Sequence, residues 1–249
     1  MESSTKFDEP NFNNIITYAK LHAGVDYNTS LEVVLKSAFS DVRNLPKLRY
    51  PKKIKGIIQP VPLNEYVGKW VSKYLIGFQG RPSQKIGKKS KTFPDPIMQL
   101  ALSYRLASLS ASNLEMIEEG HSTLMTIENL IGEILEEYLS INLLASGWHC
   151  CWGSSIDAVD FCNNKGDLLQ VKNSDNSENS SSSKVRNGTK IKKWSRRNST
   201  KNNTFRWGVL TSMLGVTGLS EADFRIFVET TIKNNPNCLF INTANKHVK

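Results

Sequence analysis

Residues 154–173, SSIDAVDFCNNKGDLLQVKN, decide how the second half of this chain folds. Residues 156–162 and 167–172 have the apolar content of strands. The Asn164-Lys165-Gly166 segment between them suits a three-residue hairpin loop with glycine in the left-handed position. The stretch therefore predicts an antiparallel β-hairpin.

The loop length sets the register of this hairpin and decides which polar side chains meet. Asn163 would face Asp167, and counting back along antiparallel strands then places Asp160 opposite Gln170. Side chains two residues apart share one face of a strand, so Lys172 lies on the same face as Gln170. The register predicts that an acid, an amide and a lysine converge on one spot.

These three groups suit the hydrolysis of a phosphodiester. Mg²⁺ prefers oxygen ligands and commonly takes one or two carboxylates, so Asp160 and the amide oxygen of Gln170 are candidate ligands. Lys172 can orient the attacking water or stabilise the charge that builds up on the phosphate. A slip of one residue would pair Val159 with Gln170 and bring Asp157 towards Lys172, so Asp157 is the alternative to Asp160.

A helix upstream can supply a further carboxylate. Residues 122–145 carry apolar side chains at helical spacing, with Ser122 as the expected N-cap. Glu136 follows Gly132 by four residues, and a glycine would let the helix approach the sheet closely, so Glu136 is the predicted outer metal ligand. The alternative is a solvated helix face made of Glu128, Glu133, Glu136 and Glu137.

Positive charge is concentrated after the second strand. From Lys184 to Arg206 the chain carries basic residues with no acidic residue among them, interleaved with Ser, Thr, Asn and aromatic residues. Such a segment offers phosphate contacts and groups that read base edges. Its composition also fits a disordered tail, but a tail is not expected between two folded elements. The predicted DNA-binding residues, within segment 173–207, are Asn173, Ser181, Lys184, Arg186, Lys190, Arg196 and Arg197.

Three motifs give the chain a resemblance to a known superfamily. GEILEEY in the helix, VDF in the first strand and QVKN in the second resemble the PD-(D/E)xK nucleases. In that superfamily an acidic residue and an (E/D/Q)xK pair lie on adjacent strands behind a helix that bears Glu. Residues 120–236 are similar to type II restriction endonucleases of the SinI type. Gln170 departs from the commonest pattern and leaves the number of metal ions open.

The resemblance implies a Mg²⁺-dependent endonuclease that cuts both strands of double-stranded DNA at a short specific site, such as GGWCC. A palindromic or nearly palindromic site is most simply read by a two-fold homodimer. A cognate DNA methyltransferase would be its genetic partner. Two rivals remain, a noncatalytic nucleic-acid-binding protein with a nuclease-like core and a repair nuclease that acts on DNA structure.

The predicted fold is α/β (α+β), with a restriction-endonuclease-like core whose mixed central sheet is flanked by helices. Residues 111–249 would form this core, and residues 1–110 a mostly helical region that clamps DNA or braces the dimer. Beyond the hairpin, helices are predicted over residues 11–21, 30–39, 65–76, 96–109 and 220–232, and a last strand over residues 238–241.

A second basic region in the N-terminal part could contact the DNA backbone or be plain surface charge. Within it, GRPSQKIGKKS imitates a phosphate-binding P-loop, but the glycine spacing is too long and Lys89 stands where Ser or Thr should follow Lys88, so a nucleotide triphosphatase is rejected. The region comprises Arg43, Lys47, Arg49, Lys52, Lys53, Lys55, Arg81, Lys85, Lys88, Lys89 and Lys91.

Composition agrees with a nucleic-acid partner. The chain has 249 residues and a formal net charge of +9, which suits binding to a polyanion. Its 4 cysteines lack CxxC spacing, which argues against zinc and fits reduced thiols. The start MESSTKFDEP lacks the features of a signal peptide, and no stretch approaches the roughly 20 apolar residues that span a bilayer. We therefore expect a bacterial cytoplasmic protein without membrane contact.

Overall fold

A five-stranded mixed sheet lies between two groups of helices. The computed structural model describes residues 11–46, 48, 53–54, 57–58, 61–88, 96–105, 110–175, 191–199 and 204–240. The predicted mixed sheet flanked by helices and the mostly helical N-terminal region are confirmed, and the arrangement is consistent with a restriction-endonuclease-like core.

Asparagine side chains start the first two helices. Asn11 Oδ1 accepts a hydrogen bond from the Asn13 backbone N–H at 3.0 Å, and Asn28 Oδ1 accepts one from Leu31 at 3.0 Å, so each satisfies an N–H that the first helical turn leaves unpaired. The helices predicted over residues 11–21, 30–39 and 65–76 are confirmed. The N-terminal elements are α1 (Phe12–Ala23), α2 (Thr29–Phe39), β1 (Lys53–Ile54), β2 (Ile57–Ile58), α3 (Leu63–Gln79) and α4 (Pro96–Arg105).

The longest described helix, α5, spans Ala111–Asn142. Ser122 lies inside it, so its prediction as the N-cap was wrong. The cap is Ser110, whose Oγ accepts a hydrogen bond from the Asn113 N–H at 3.2 Å. The sequence between the two serines contains no proline, so nothing stops the helix from starting at the earlier cap.

Gly132 does not bring α5 close to the sheet, and that part of the prediction was also wrong. A Cβ atom added at Gly132 would meet no atom within 4 Å. The helix packs instead through larger apolar side chains, among them Ile134, Leu135 and Leu139, which are fully buried. The position of α5 is therefore set by this apolar stripe.

The main sheet has the strand order β3-β4-β5-β6-β7. Only the β5–β6 pair is parallel, and the other three pairs are antiparallel, which makes the sheet mixed. Its strands and the helices that follow are β3 (Trp148–Cys150), β4 (Phe161–Asn163), β5 (Leu168–Ser174), β6 (Ile191–Asn198), β7 (Thr204–Phe205), α6 (Trp207–Leu214) and α7 (Glu221–Asn234).

The C-terminal part starts as predicted and ends differently. Ser220 Oγ accepts a hydrogen bond from the Asp223 N–H at 3.1 Å and caps α7. The strand predicted from residue 238 was wrong over the described positions, because Pro236–Cys238 form a 3-10 turn whose Pro236 carbonyl accepts from the Leu239 N–H at 3.3 Å. Residue 241 lies outside the described part.

Two apolar cores lie on opposite faces of the sheet. Leu168 packs with α1, α2 and α3, and we call this side the α3 face. Leu169 and Val171 pack with α5, α6 and α7, and we call that side the α5 face. Adjacent residues of β5 thus belong to different cores, as the two-residue period of a strand requires. No helix in the described part has both the length and the hydrophobicity needed to cross a bilayer.

Candidate active site

The β4–β5 hairpin has the predicted register. Phe161 pairs with Leu169 and Cys162 with Leu168, as the predicted register requires, but the ladder ends there, and the Asp160 N–H donates to the Leu169 carbonyl at 2.9 Å. Gly166 occupies the left-handed position of the loop with φ at 81°, where a side chain would be strained. The hairpin loop and the register up to Phe161 are therefore confirmed, whereas the pairing of Asp160 with Gln170 stays a prediction.

The segment before Asp160 differs from the prediction. Ile156 and Val159 form an isolated bridge around a tight turn, and Ala158 takes a left-handed φ of 58°. A turn of this kind interrupts a strand, so the strand predicted over residues 156–162 was wrong in its first half, and β4 begins only at Phe161. Asp160 therefore stands between the turn and the strand.

Asp157, the alternative acid, is directed towards the N-terminal region. It is exposed, and its backbone N–H donates to the Asn44 carbonyl at 2.9 Å. Its negative charge acts on Lys73 of α3, where it partly opposes the lowering of the Lys73 pKa by burial. The hairpin shows no slip that would bring Asp157 towards Lys172.

Asp160 is bound to the strand that carries the other two hairpin residues. Its Oδ2 accepts a hydrogen bond from the Val171 N–H at 2.7 Å. Burial raises the pKa of Asp160 to about 6, while this hydrogen bond and the positive charge of Lys172 act in the opposite direction. Asp160 and Lys172 therefore interact electrostatically, as the polar face of the hairpin predicts.

Glu136 brings a second carboxyl group into this environment. Burial raises the pKa of Glu136 well above its usual range, and the charge of Asp160 raises it further, followed by that of Glu133. Glu136 has no hydrogen-bond or ion-pair partner among the residues that the structure describes. Two neighbouring carboxyl groups that disfavour each other's charge are what a divalent cation would stabilise, so the donor set fits a metal ion.

The other glutamates of α5 have separate surroundings. Glu137 is buried, accepts a hydrogen bond from the Ser83 N–H at 3.0 Å and lies 3.4 Å from Nε of Arg81. Glu133 forms an ion pair with Lys85. These contacts hold the segment after α3 against α5, whereas Glu128 is exposed. The glutamates therefore do not form one solvated face.

Gln170 is the third predicted oxygen donor, and it shares a face of β5 with Leu168. Gln170 is only 8% exposed, although it is not part of the apolar core that contains Leu168. An amide oxygen there is a neutral ligand of the kind that Mg²⁺ accepts. Within the described ranges, no group of three or more His, Cys, Asp or Glu side chains could hold a metal. Glu136, Asp160 and Gln170 offer instead two carboxylates and one amide.

The predicted DNA-binding residues of β5 and β6 have unequal surroundings. Arg196 is buried on the α5 face, where its Nη1 lies 2.7 Å from Glu221 Oε1 and its Nε donates to Asn173 Oδ1 at 3.0 Å. Arg197 points to the α3 face and has no ion-pair partner among the described residues. The predicted residues Ser181, Lys184, Arg186 and Lys190 lie outside the described part.

Several cations of the N-terminal basic region are already paired. Arg43 lies 2.6 Å from Asp41, Arg81 is near Glu137 and Lys85 is paired with Glu133. Lys88 is exposed. Lys47, Arg49, Lys52, Lys55, Lys89 and Lys91 fall outside the described ranges, and the Lys53 side chain is not described.

The alternation of side chains along β6 between the two faces of the sheet could have identified further residues beside the site from the sequence. Trp194 packs in the core of the α5 face, so residues 193, 195 and 197 must point to the other side. That side also carries Gln170 and Lys172. Applying the two-residue period to IKKWSRR separates Arg197 from Arg196 and adds Lys193 and Ser195 to the polar surface beside the site.

Comparison with known proteins relates the chain to one family of restriction endonucleases. Residues 69–234 match the model of the SinI restriction endonuclease family. The type II restriction enzyme Eco47I of Escherichia coli is 44% identical over 143 residues, which are 55% of this chain and 61% of that protein. The type II restriction enzyme SinI of Salmonella infantis is 43% identical over 147 residues, which are 57% and 63% of the two chains. The chain thus spans about three-fifths of both relatives, and the predicted resemblance is confirmed.

Proposed function

The chain belongs to the SinI restriction endonuclease family, and we propose that it is a type II restriction endonuclease that hydrolyses phosphodiester bonds in both strands of double-stranded DNA. The observation that carries the proposal is the grouping of Glu136, Asp160 and Lys172, in which the charge of Asp160 acts on Glu136 and the charge of Lys172 acts on Asp160. Two relatives that bear the names of type II restriction enzymes give further support.

Glu136, Asp160 and Gln170 would hold Mg²⁺. A bound Mg²⁺ supplies a Lewis acid beside the phosphoryl group and favours deprotonation of the attacking water. The Val171 N–H keeps Oδ2 of Asp160 in place, which leaves Oδ1 free to face a cation. Gln170 contributes an oxygen without adding a third negative charge to a site where burial already disfavours charge.

Lys172 contributes a mobile positive charge on the same face as Gln170. Its ammonium can orient the attacking water or stabilise the negative charge that builds up on the phosphoryl oxygens. It already lowers the pKa of Asp160, so it is close enough to influence the same small volume. In this mechanism Lys172 acts on the transition state, and the three oxygen donors act on the metal.

The finer assignments are also part of this proposal. The target is a short, nearly palindromic site, for which GGWCC is our specific candidate. A two-fold homodimer would place one active site on each strand. The protein would act in the bacterial cytoplasm, where a cognate DNA methyltransferase protects the host DNA.

The direct test uses purified protein, bacteriophage DNA and Mg²⁺, with a parallel reaction that contains a chelator. Discrete fragments whose ends map to one short sequence, formed only with Mg²⁺, support a restriction enzyme. Ends at GGWCC support the specific site, and ends elsewhere overturn it. A smear or cutting confined to branched DNA supports a repair nuclease. Binding without cleavage in Mg²⁺ or Mn²⁺ overturns the enzymatic function.

A further inference from the structure

The strand next to the candidate active site carries a row of cations that the proposed mechanism does not use. We propose that Lys193 and Arg197 bind backbone phosphates of the DNA strand that is cut, and that they hold this strand against Gln170 and Lys172. This inference rests on the proposed function, because it assigns the substrate contacts of the same site. Lys193 is its central residue.

Register places these side chains beside the site. In the parallel β5–β6 pair, Gln170 lies opposite Lys193, Lys172 opposite Ser195 and Ser174 opposite Arg197. Paired residues of adjacent strands have side chains on the same face, about 4.8 Å apart between strand axes. Lys193 is thus the immediate neighbour of Gln170.

The two cores confirm the direction of these side chains. Ile191 packs against the core of the α3 face, as does its partner Leu168, whereas Trp194 and its partner Val171 lie in the core of the α5 face. Counting by two from Ile191 leads to Lys193, and the same count continues to Ser195 and Arg197. On this face of β6, Ile191 is therefore the last apolar residue, and the polar residues Lys193, Ser195 and Arg197 follow it.

The cations of this row are available for a ligand. Lys193 is exposed, and neither Lys193 nor Arg197 forms an ion pair with any described residue. Nε of Arg197 is buried and has no hydrogen-bond partner in the described part of the chain. A buried guanidinium N–H without a partner is uncommon, and a phosphate oxygen would satisfy it.

The surroundings of the row are held in place. Arg206 Nη1 donates to Ser195 Oγ at 3.0 Å, which brings a third cation between the other two. At the end of the row, Asp175 Oδ1 accepts hydrogen bonds from the Ser199 N–H at 2.8 Å and from its Oγ at 2.7 Å. These hydrogen bonds join the ends of β5 and β6 and so hold the two strands in a fixed position relative to each other.

The spacing suits a nucleic-acid backbone. Four residues along a strand separate Lys193 and Arg197 by about 13 Å, so the two side chains would reach different phosphates of one strand. Contacts to phosphates fix the register of a protein on DNA without reading its sequence. Lys193 would therefore determine how the scissile phosphate sits over Gln170.

Two adjacent lysines provide a matched test. Lys192 lies on the α5 face, 3.5 Å from Asp167 Oδ1 and 5.6 Å from the centre of the Trp148 ring, whereas Lys193 faces the site. We would compare Lys193→Gln, Lys193→Arg and Lys192→Gln. Each variant is tested for cleavage of the DNA that the wild-type protein cuts. Binding to the same duplex is measured at several salt concentrations in a Lys172→Ala background, which prevents cutting.

Lys193→Gln should weaken binding roughly tenfold and reduce the slope of log K against log salt by about 0.9, the value for one lost phosphate contact. Single-turnover cleavage should slow as well, and Lys193→Arg should restore both. Lys192→Gln should leave the salt slope unchanged. If the wild-type protein cuts DNA and the two Gln variants behave alike, the phosphate contact is overturned while the proposed function stands. If the wild-type protein does not bind DNA, both are overturned.

Discussion

The backbone N–H of Val171 donates a 2.7 Å hydrogen bond to Oδ2 of Asp160. Val171 stands between Gln170 and Lys172, so this bond fixes the acidic residue to the strand that carries the amide and the lysine. It also pairs an N–H at the point where the β4–β5 ladder ends, which a buried backbone group requires. The side chain of Asp160 therefore helps to hold this residue, which precedes β4, against β5.

Replacing Asp160 by Asn tests the role of its charge. Asn Oδ1 can still accept from the Val171 N–H, so the fold should persist, while the loss of the negative ligand should slow cleavage about 10³-fold or more. DNA binding should be retained or strengthened, because a negative charge facing the phosphate is removed. Single-turnover cleavage and DNA binding measure the two effects. Lost binding with cleavage retained would contradict the assignment.

Glu136→Gln should separate metal binding from stability. A protein with a carboxyl group whose pKa is raised by folding loses stability as the pH rises above the unfolded-state value of 4.5, and the loss is complete above the folded-state pKa. The variant should therefore be more stable at neutral pH in chelator, on the order of 1 kcal/mol. Its cleavage should require more Mg²⁺ than the wild type. Glu137→Gln is the control, and it should lower stability because the half-buried Arg81 loses its negatively charged partner. Denaturant unfolding and Mg²⁺ titration of the rate check both effects.

Gln170→Glu should change the metal preference of the enzyme. The variant adds a negative charge beside Asp160, which strengthens attraction for a divalent cation and increases repulsion when none is bound. Cleavage should therefore reach half its maximum at a lower metal concentration, with a different ratio of Mg²⁺ to Mn²⁺ rates. An unchanged metal profile would place Gln170 outside the ligand set.

Arg196 and Arg197 are adjacent in sequence, but replacing Arg196 should lower stability whereas replacing Arg197 should weaken DNA binding. Arg196→Ala removes a buried guanidinium, leaves the half-buried Glu221 carboxylate without its main partner and should cost about 3 kcal/mol of stability. Arg197→Ala should leave stability nearly unchanged and weaken DNA binding with a smaller salt slope. Unfolding curves and salt-dependent binding distinguish the two. Equal stability losses would contradict the assigned faces.

Local patterns predicted the hairpin well because its geometry is determined by few residues. A three-residue loop with Gly166 at the left-handed position favours one register, and that register pairs Phe161 with Leu169 and Cys162 with Leu168. The cap at Ser220 is equally local. The family resemblance was also readable, since GEILEEY, VDF and QVKN are contiguous motifs.

The features that the sequence did not predict depend mainly on contacts between residues that are distant in the chain. The turn at Ala158 is accompanied by a hydrogen bond from Asp157 to Asn44, more than one hundred residues upstream, which no local pattern reveals. The face of Arg196 depends on Glu221, which belongs to α7. Both Ser110 and Ser122 are possible N-caps of α5, and the apolar stripe of the helix does not distinguish between them.

The most direct measurement of the central claim compares Lys172→Ala with Lys165→Ala on a plasmid that the wild-type protein cuts in Mg²⁺. Lys165 is an exposed lysine of the hairpin loop that lies outside the polar face. Lys172→Ala should lower the cleavage rate at least about 10²-fold while DNA binding persists. Lys165→Ala should cut at the wild-type rate. Cleavage by Lys172→Ala at the wild-type rate would contradict the assignment of the active site.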